Sequence, residues 1–251
     1  MDSWSKRRKK MIAYGIAAFA VLVIGFPSFF YLYKAPTCFD SRQNGGEQGV
    51  DCGGRCSRLC QSAFLAPSVA WTRFEEVAPG LYNIASYIVN PNTDGKAVAV
   101  PYKMSIYDDR GMLITVETGS VTLPPHRNTL AFKGAVSVSN SKPAKVSFEF
   151  TAPPDWYRGA DPLRSIRVSG KDYSEDQTGS SLSVTLGNDN IVPLDNISVY
   201  VVLYDVDGNA LGFSKTLVDE IPANGKAIAP FTWGVERQGR VVSIEVLPVA
   251  E

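Results

Sequence analysis

Four cysteines, Cys38, Cys52, Cys56 and Cys60, crowd between positions 38 and 60 of a 251-residue chain that has no others. The segment CFDSRQNGGEQGVDCGGRCSRLC has almost no apolar residues from which to build a core, so something covalent or ionic must hold it. In an exported segment an even cysteine count favours two disulfides, with three connectivities open. Four thiolates are also the donor set of a tetrahedral zinc site, but the x13, x3 and x3 spacings are not those of common zinc motifs. Cys52 and Cys56 are one residue too far apart for a C-x-x-C redox pair, and no βαβ pattern follows them. Asp40, Asn44, Glu47 and Asp51 interleave with the cysteines, and hard oxygen donors in a glycine-rich loop are what calcium requires. The competing reading makes Asn44-Gly45-Gly46 and Gly53-Gly54 turns with solvated acids between them.

Elsewhere the chemistry is sparse. His126 is the one histidine and lies in the turn-like run LPPHRN. A serine hydrolase would need it as base beside a nucleophile on a sharp turn, and no G-x-S-x-G elbow is present. Asp205-Val206-Asp207-Gly208-Asn209 resembles the opening of a calcium loop, yet the third oxygen donor and closing glutamate are missing, which favours a hairpin. Trp71, Trp156 and Trp233 could stack on a sugar, although aromatic residues in β proteins usually serve the core. Asn196-Ile197-Ser198 is a glycosylation sequon, meaningful in a eukaryotic secretory pathway, at a strand start.

These residues are carried by elements whose order gives an address. Lys6, Arg7, Arg8, Lys9 and Lys10 precede a charge-free apolar run from Met11 to Tyr33, long enough as a helix at ~1.5 Å per residue to cross a ~30 Å hydrocarbon core. Basic flanks stay cytoplasmic, which predicts one pass with everything after Lys34 on the far side. Phe29, Phe30, Tyr31 and Tyr33 suit the distal headgroup boundary and Trp4 the inner one. The run exceeds the ~7–15 residue core of a cleaved signal peptide. Formal net charge is zero, but residues 34–251 hold 20 basic and 24 acidic side chains. That mildly acidic body lacks the clustered cations that nucleic acid requires.

An internal repeat fills most of the remainder. Residues 98–111 align with 195–208 at an offset of 97: Val100, Tyr102, Met104 and Ile106 match Ile197, Val199, Val201 and Leu203 at period 2, one face of a strand. Tyr107-Asp108 and Tyr204-Asp205 lead to Gly111 and Gly208, the signature of a hairpin. Leu123-Pro124 and Ile221-Pro222 open a second turn, followed by Phe132 and Phe231. Strands around Tyr82–Val89 and Leu182–Leu186 precede each copy, and Val146–Phe150 and Val242–Val246 close it. Short alternating strands without a further helical pattern predict an antiparallel sandwich in each copy. The expected layout is a cytoplasmic tail 1–10, a membrane helix 11–33, a cysteine-rich module 34–63, a sandwich over 64–152, a semi-rigid proline linker 153–162 and a second sandwich over 163–251. The fold class is thus an all-β ectodomain of two tandem immunoglobulin- or fibronectin-III-like sandwiches.

The run GVDCGG, with Cys-x-Asp, Asn44 and Glu47 ahead of it, resembles a short repeat of bacterial secreted and surface proteins, in which glycine normally follows the second acidic position; here Ser41 follows Asp40. Each copy of the long repeat resembles the FxLYD and late-embryogenesis-abundant, water-stress type of β-sandwich, twice over residues 71–249. The resemblance implies a noncatalytic unit of an envelope or stress-related protein. A plant defence-related family joins a type II anchor to one such domain, but two copies and the cysteine module fit bacteria better. The expected function is a noncatalytic protein of the inner or cell membrane, with its C-terminal part periplasmic or extracellular, whose sandwiches meet other envelope or surface proteins. A calcium- or glycan-binding adhesin is the alternative, and a hydrolase using His126 the third.

Overall fold

The structure, a computed structural model, describes residues 3–25, 31, 35–138, 141–159, 161–176, 179–234 and 239–250. The chain divides into two compact units, Met1–Cys56 and Ser57–Glu251.

In the first unit, helix α1 spans Ser3–Ala20 and continues as a π-helical turn over Val21–Gly25. Lysine, arginine, alanine and methionine are strong helix formers, and no glycine-proline break occurs before Pro27. Of the predicted 11–33 span, residues 26–30, 32 and 33 lie outside the described residues, Pro27, Phe29, Phe30 and Tyr33 among them. Among the described residues, no helix is long and apolar enough to cross a membrane. The cysteine loop has no regular helix or strand; one isolated bridge, Gly49 to Cys52, crosses it.

The second unit is built from antiparallel strands. In its first half these are β1 (Ser68–Ala78), β2 (Leu81–Val89), β3 (Gly95–Tyr107), β4 (Leu113–Leu123), β5 (Thr129–Ser137), β6 (Lys145–Phe150) and the two-residue β7 (Tyr157–Arg158). The second half adds β8 (Ile166–Asp176), β9 (Gly179–Asn188), β10 (Leu194–Tyr204), β11 (Ala210–Ile221), β12 (Lys226–Trp233) and β13 (Ser243–Ala250). Sheet β1-β2-β5 faces sheet β4-β3-β6 across a core of Ile84, Ile88, Tyr102, Met104, Ile106 and Leu123. Sheet β12-β9-β8 faces sheet β11-β10-β13 across a core of Leu182, Val184, Leu186, Val199, Val201 and Phe231. Strand for strand, β8 to β13 repeat the pairing of β1 to β6. The predicted period-2 sets fall on these two inner faces.

A third core joins the halves. Ala85, Tyr87 and Leu130 of the β1-β2-β5 sheet bury their outer face against Tyr200, Val202, Phe213 and Val249 of the β11-β10-β13 sheet. Four sheets therefore stack in one body, and β2 and β10 are covered on both faces. The alternation read in β10 concealed this, because Val199-Tyr200-Val201-Val202-Leu203 is apolar at every position, the pattern of a strand buried on both sides.

The described residues of the proline-rich stretch 153–162 are fastened at several points. Trp156 is 3% exposed in the first half's core and stacks on Phe64 at 5.2 Å. Tyr157 and Arg158 pair with Lys96 and Gly95. Asp161 caps the 3₁₀ turn Pro162–Ser165 through the Leu163 N–H and meets Arg127 at 2.8 Å, while Arg127 also donates to the Leu163 carbonyl. Leu163 then closes one end of the second half's core.

Candidate functional site

All four cysteines are oxidised, and the pairing left open by the sequence is interleaved: Cys38 with Cys56 and Cys52 with Cys60. No thiolate remains for zinc or for thiol redox chemistry. Cys56 is 1% exposed although its neighbours are polar.

Hydrogen bonds to carboxylates do the rest of the folding in this loop. Asp51 accepts the backbone N–H groups of Asp40 and Ser41 at 2.9 Å. Asp40 accepts the Asn44 amide at 2.9 Å and the Arg42 N–H at 3.0 Å, and the Asn44 bond chiefly holds its carboxyl below the ordinary range. Glu47 accepts the Asn44 N–H at 3.2 Å, and its other oxygen lies 3.3 Å from the Cys56 sulfur, which has no proton to donate. Arg55 forks onto the Gly45 carbonyl at 2.7 and 3.0 Å. The paired glycines permit backbone to lie on backbone: a Cβ on Gly54 would sit 2.0 Å from the Gly46 carbonyl oxygen. Ser41, standing where the resembling family has glycine, adopts the left-handed φ of 58° that glycine favours. Its N–H bonds to Asp51 hold the turn without glycine.

Calcium requires 6–8 oxygens converging at 2.3–2.6 Å. The acidic oxygens of Asp40, Glu47 and Asp51 do not gather within 4.8 Å of one another; the group that does is Glu47 with the Cys38 and Cys56 sulfurs, which are tied up in a disulfide. These carboxylates turn toward N–H groups and do not fit a shared ion, so we derive no chemistry through calcium. Asn44 Oδ1 is buried without a hydrogen-bond partner.

The remaining candidates are structural. His126 is exposed at φ 55°, its N–H on the Asn92 carbonyl, and Asn224 does the same in the second half at φ 51° with Asn190. Asp205 accepts the Asp207 and Asn209 N–H groups, and the Asn209 bond first of all keeps its carboxyl low; Asp108 accepts the Arg110 and Met112 N–H groups in the matching hairpin. Trp233 is 4% exposed and Trp71 packs on Tyr87 and Phe213 at 5.5 and 6.1 Å, so the three tryptophans line cores. In the sequon, Asn196 is exposed at φ 53° and Ser198 is fully buried.

Two features escaped sequence reasoning. Asn90 and Asn188, both buried, tie two loops together in each half: Asn90 donates to the Gly95 and Pro124 carbonyls, Asn188 to those of Val192, Ile221 and Pro222. Their matched places in the repeat were the available signal. At the seam between the halves, Glu245 accepts the hydroxyls of Tyr87 at 2.8 Å and Tyr204 at 2.9 Å, and Asn128 donates to Tyr87 at 2.7 Å. Burial, then the Glu245 carboxylate, pushes both phenols well above their ordinary pKa. Arg73 reaches the Ala210 carbonyl, and an open cleft of about 380 Å³ runs beside it between Glu75, Lys145 and Leu211. A second cleft, about 460 Å³, is lined by Phe64, Leu65, Pro67, Phe150, Pro154 and Trp156. At the first cleft, Glu75 accepts the Phe213 N–H. No protein-family model matches the chain, and no curated protein matches it.

Proposed function

We propose that this is a noncatalytic envelope or surface protein, anchored by residues 11–33 with its N-terminus cytoplasmic, that holds two immunoglobulin- or fibronectin-III-like sandwiches of the FxLYD, water-stress type outside the membrane to meet other envelope proteins. The observation that carries the reading is the oxidised state of all four cysteines directly after a basic-flanked apolar run, because disulfides persist on the oxidising side of a membrane. The seam adds support. A body whose halves share a buried core presents its loops in fixed relation, and exposed tips such as Ile191, at 85%, are placed to touch a partner.

The test makes three measurements on the full chain in cells. It stays in the membrane through alkaline carbonate, its C-terminal half is reached by protease only from the outer side, and a photocrosslinker at Ile191 gives a discrete adduct with an envelope protein. Release by carbonate, or digestion from the cytoplasmic side, refutes the anchored reading. Repeated failure to crosslink from any loop tip refutes the display role.

A further inference from the structure

We propose that Lys6, Arg7, Arg8, Lys9 and Lys10 form a closed collar that binds the headgroups of anionic phospholipids around α1, an inference that rests on the anchored reading above. All five lie exposed within the helix. At about 100° per residue, five consecutive positions pass the whole circumference within about 6 Å of axis. They are therefore not the polar stripe of a helix that lies flat on a surface. The apolar side chains that follow go round the helix, large ones over more than half the circumference and Ala13, Ala17 and Ala20 on the rest; Met11, Ile12, Tyr14, Ile16 and Phe19 are each more than half exposed. A ring of cations on an apolar sleeve matches an upright helix at a bilayer face.

The collar is electrostatically wrong for water. The first turn holds no acidic residue, and the helix dipole already puts positive charge at that end. Five like charges in so short a length add mutual repulsion, and phosphate groups around the ring reverse both effects. Arg8 sits over the Trp4 ring at 5.6 Å, and Trp4 is 73% exposed, so an interfacial indole braces a guanidinium suited to a phosphate. Nucleic acid would satisfy the cations but leave the apolar sleeve in water.

The test reconstitutes the full chain in vesicles of equal phosphatidylcholine and phosphatidylglycerol, extracts it gently and counts retained lipids by mass spectrometry. Phosphatidylglycerol is expected to exceed phosphatidylcholine at least about fivefold, one cation's contribution near an anionic surface, and the ratio should fall toward one when all five residues become glutamine. A ratio near one for the unaltered chain, in protein that floats with the vesicles, overturns the collar and leaves the anchor standing. An unchanged preference in the glutamine variant also overturns it. A chain that does not float with vesicles overturns both, whereas retention of duplex DNA without lipid preference overturns the collar alone.

Discussion

At one register position the first half carries Val116, opposite Ser105, and the second carries Phe213, opposite Val202. Val116 is 41% exposed and Phe213 is 2% exposed. The contrast continues across the sheet: Lys103 pairs with Glu149 in a 2.8 Å ion pair where Tyr200 pairs with Leu247, and Ser105 with Ser147 where Val202 pairs with Glu245. The opposite sheets show the reverse. Ala85, Tyr87 and Leu130 of the first half are covered, whereas Ser183, Thr185 and Ile228 at the matching positions of the second are not. Two copies of one fold thus meet through non-equivalent faces, and each keeps a more polar outer face, Val116 and Ile228 apart, where its twin has an apolar one. Such a head-to-tail contact could repeat without limit if both faces stayed apolar, and the polar residues at these positions oppose that.

The largest expected effect lies at this contrast. Phe213→Ala should cost about 3–5 kcal/mol in urea unfolding followed by tryptophan fluorescence, and Val116→Ala less than about 0.5 kcal/mol; equal costs would break the comparison. Next come the features the halves share. Asn90→Ala and Asn188→Ala should each cost about 2–3 kcal/mol, since buried carbonyls lose their donors, and a large inequality would show that only one half depends on the lock.

Smaller again is the seam's polar pin. Tyr204→Phe should cost about 1–2 kcal/mol, while its counterpart Tyr107→Phe, in the half where Ser147 stands at the register position of Glu245, should cost nothing measurable. The pin also gives stability an alkaline limit. Below about pH 10 both folded and unfolded chains keep these phenols protonated. Above it the unfolded chain ionises while the folded one resists, so the unfolded state loses protons the native state retains and stability falls as pH rises. Tyr204→Phe should flatten that decline in the alkaline unfolding profile. The smallest effect belongs to His126→Asn, which places the second half's residue at the same left-handed position. It should change stability by less than about 0.5 kcal/mol, in the stabilising direction, as read from the urea midpoint.

Much of the body was legible because strands advertise themselves locally. Val100, Tyr102, Met104 and Ile106 and their matches Ile197, Val199, Val201 and Leu203 recur at period 2, and Asp108 and Asp205 with their glycines mark hairpins, features that need no knowledge of distant residues. Trp156 was legible as a core aromatic but its place was not, because a proline-rich stretch reads as a spacer until the neighbours it plugs are placed around it. Glu245 was hidden for the same reason: a glutamate in an alternating strand reads as solvated, and its two tyrosines lie 158 and 41 residues away. The acids of the cysteine loop were noticed for their oxygens, but whether oxygens converge on an ion or turn to nearby N–H groups depends on backbone path.

By itself the sequence determined that the cysteine loop must be held by something covalent or ionic, that the long repeat must form antiparallel sheets and which residues face inward, since each follows from composition and from periods of one or two residues. The tertiary structure alone decided that Cys38 joins Cys56 rather than Cys52 or Cys60, and that one outer face of each half is buried against the other. Both outcomes depend on which distant surfaces meet in space. A cysteine can reach any partner that the fold brings near, and an apolar outer face reads alike whether a second half or a separate protein will cover it.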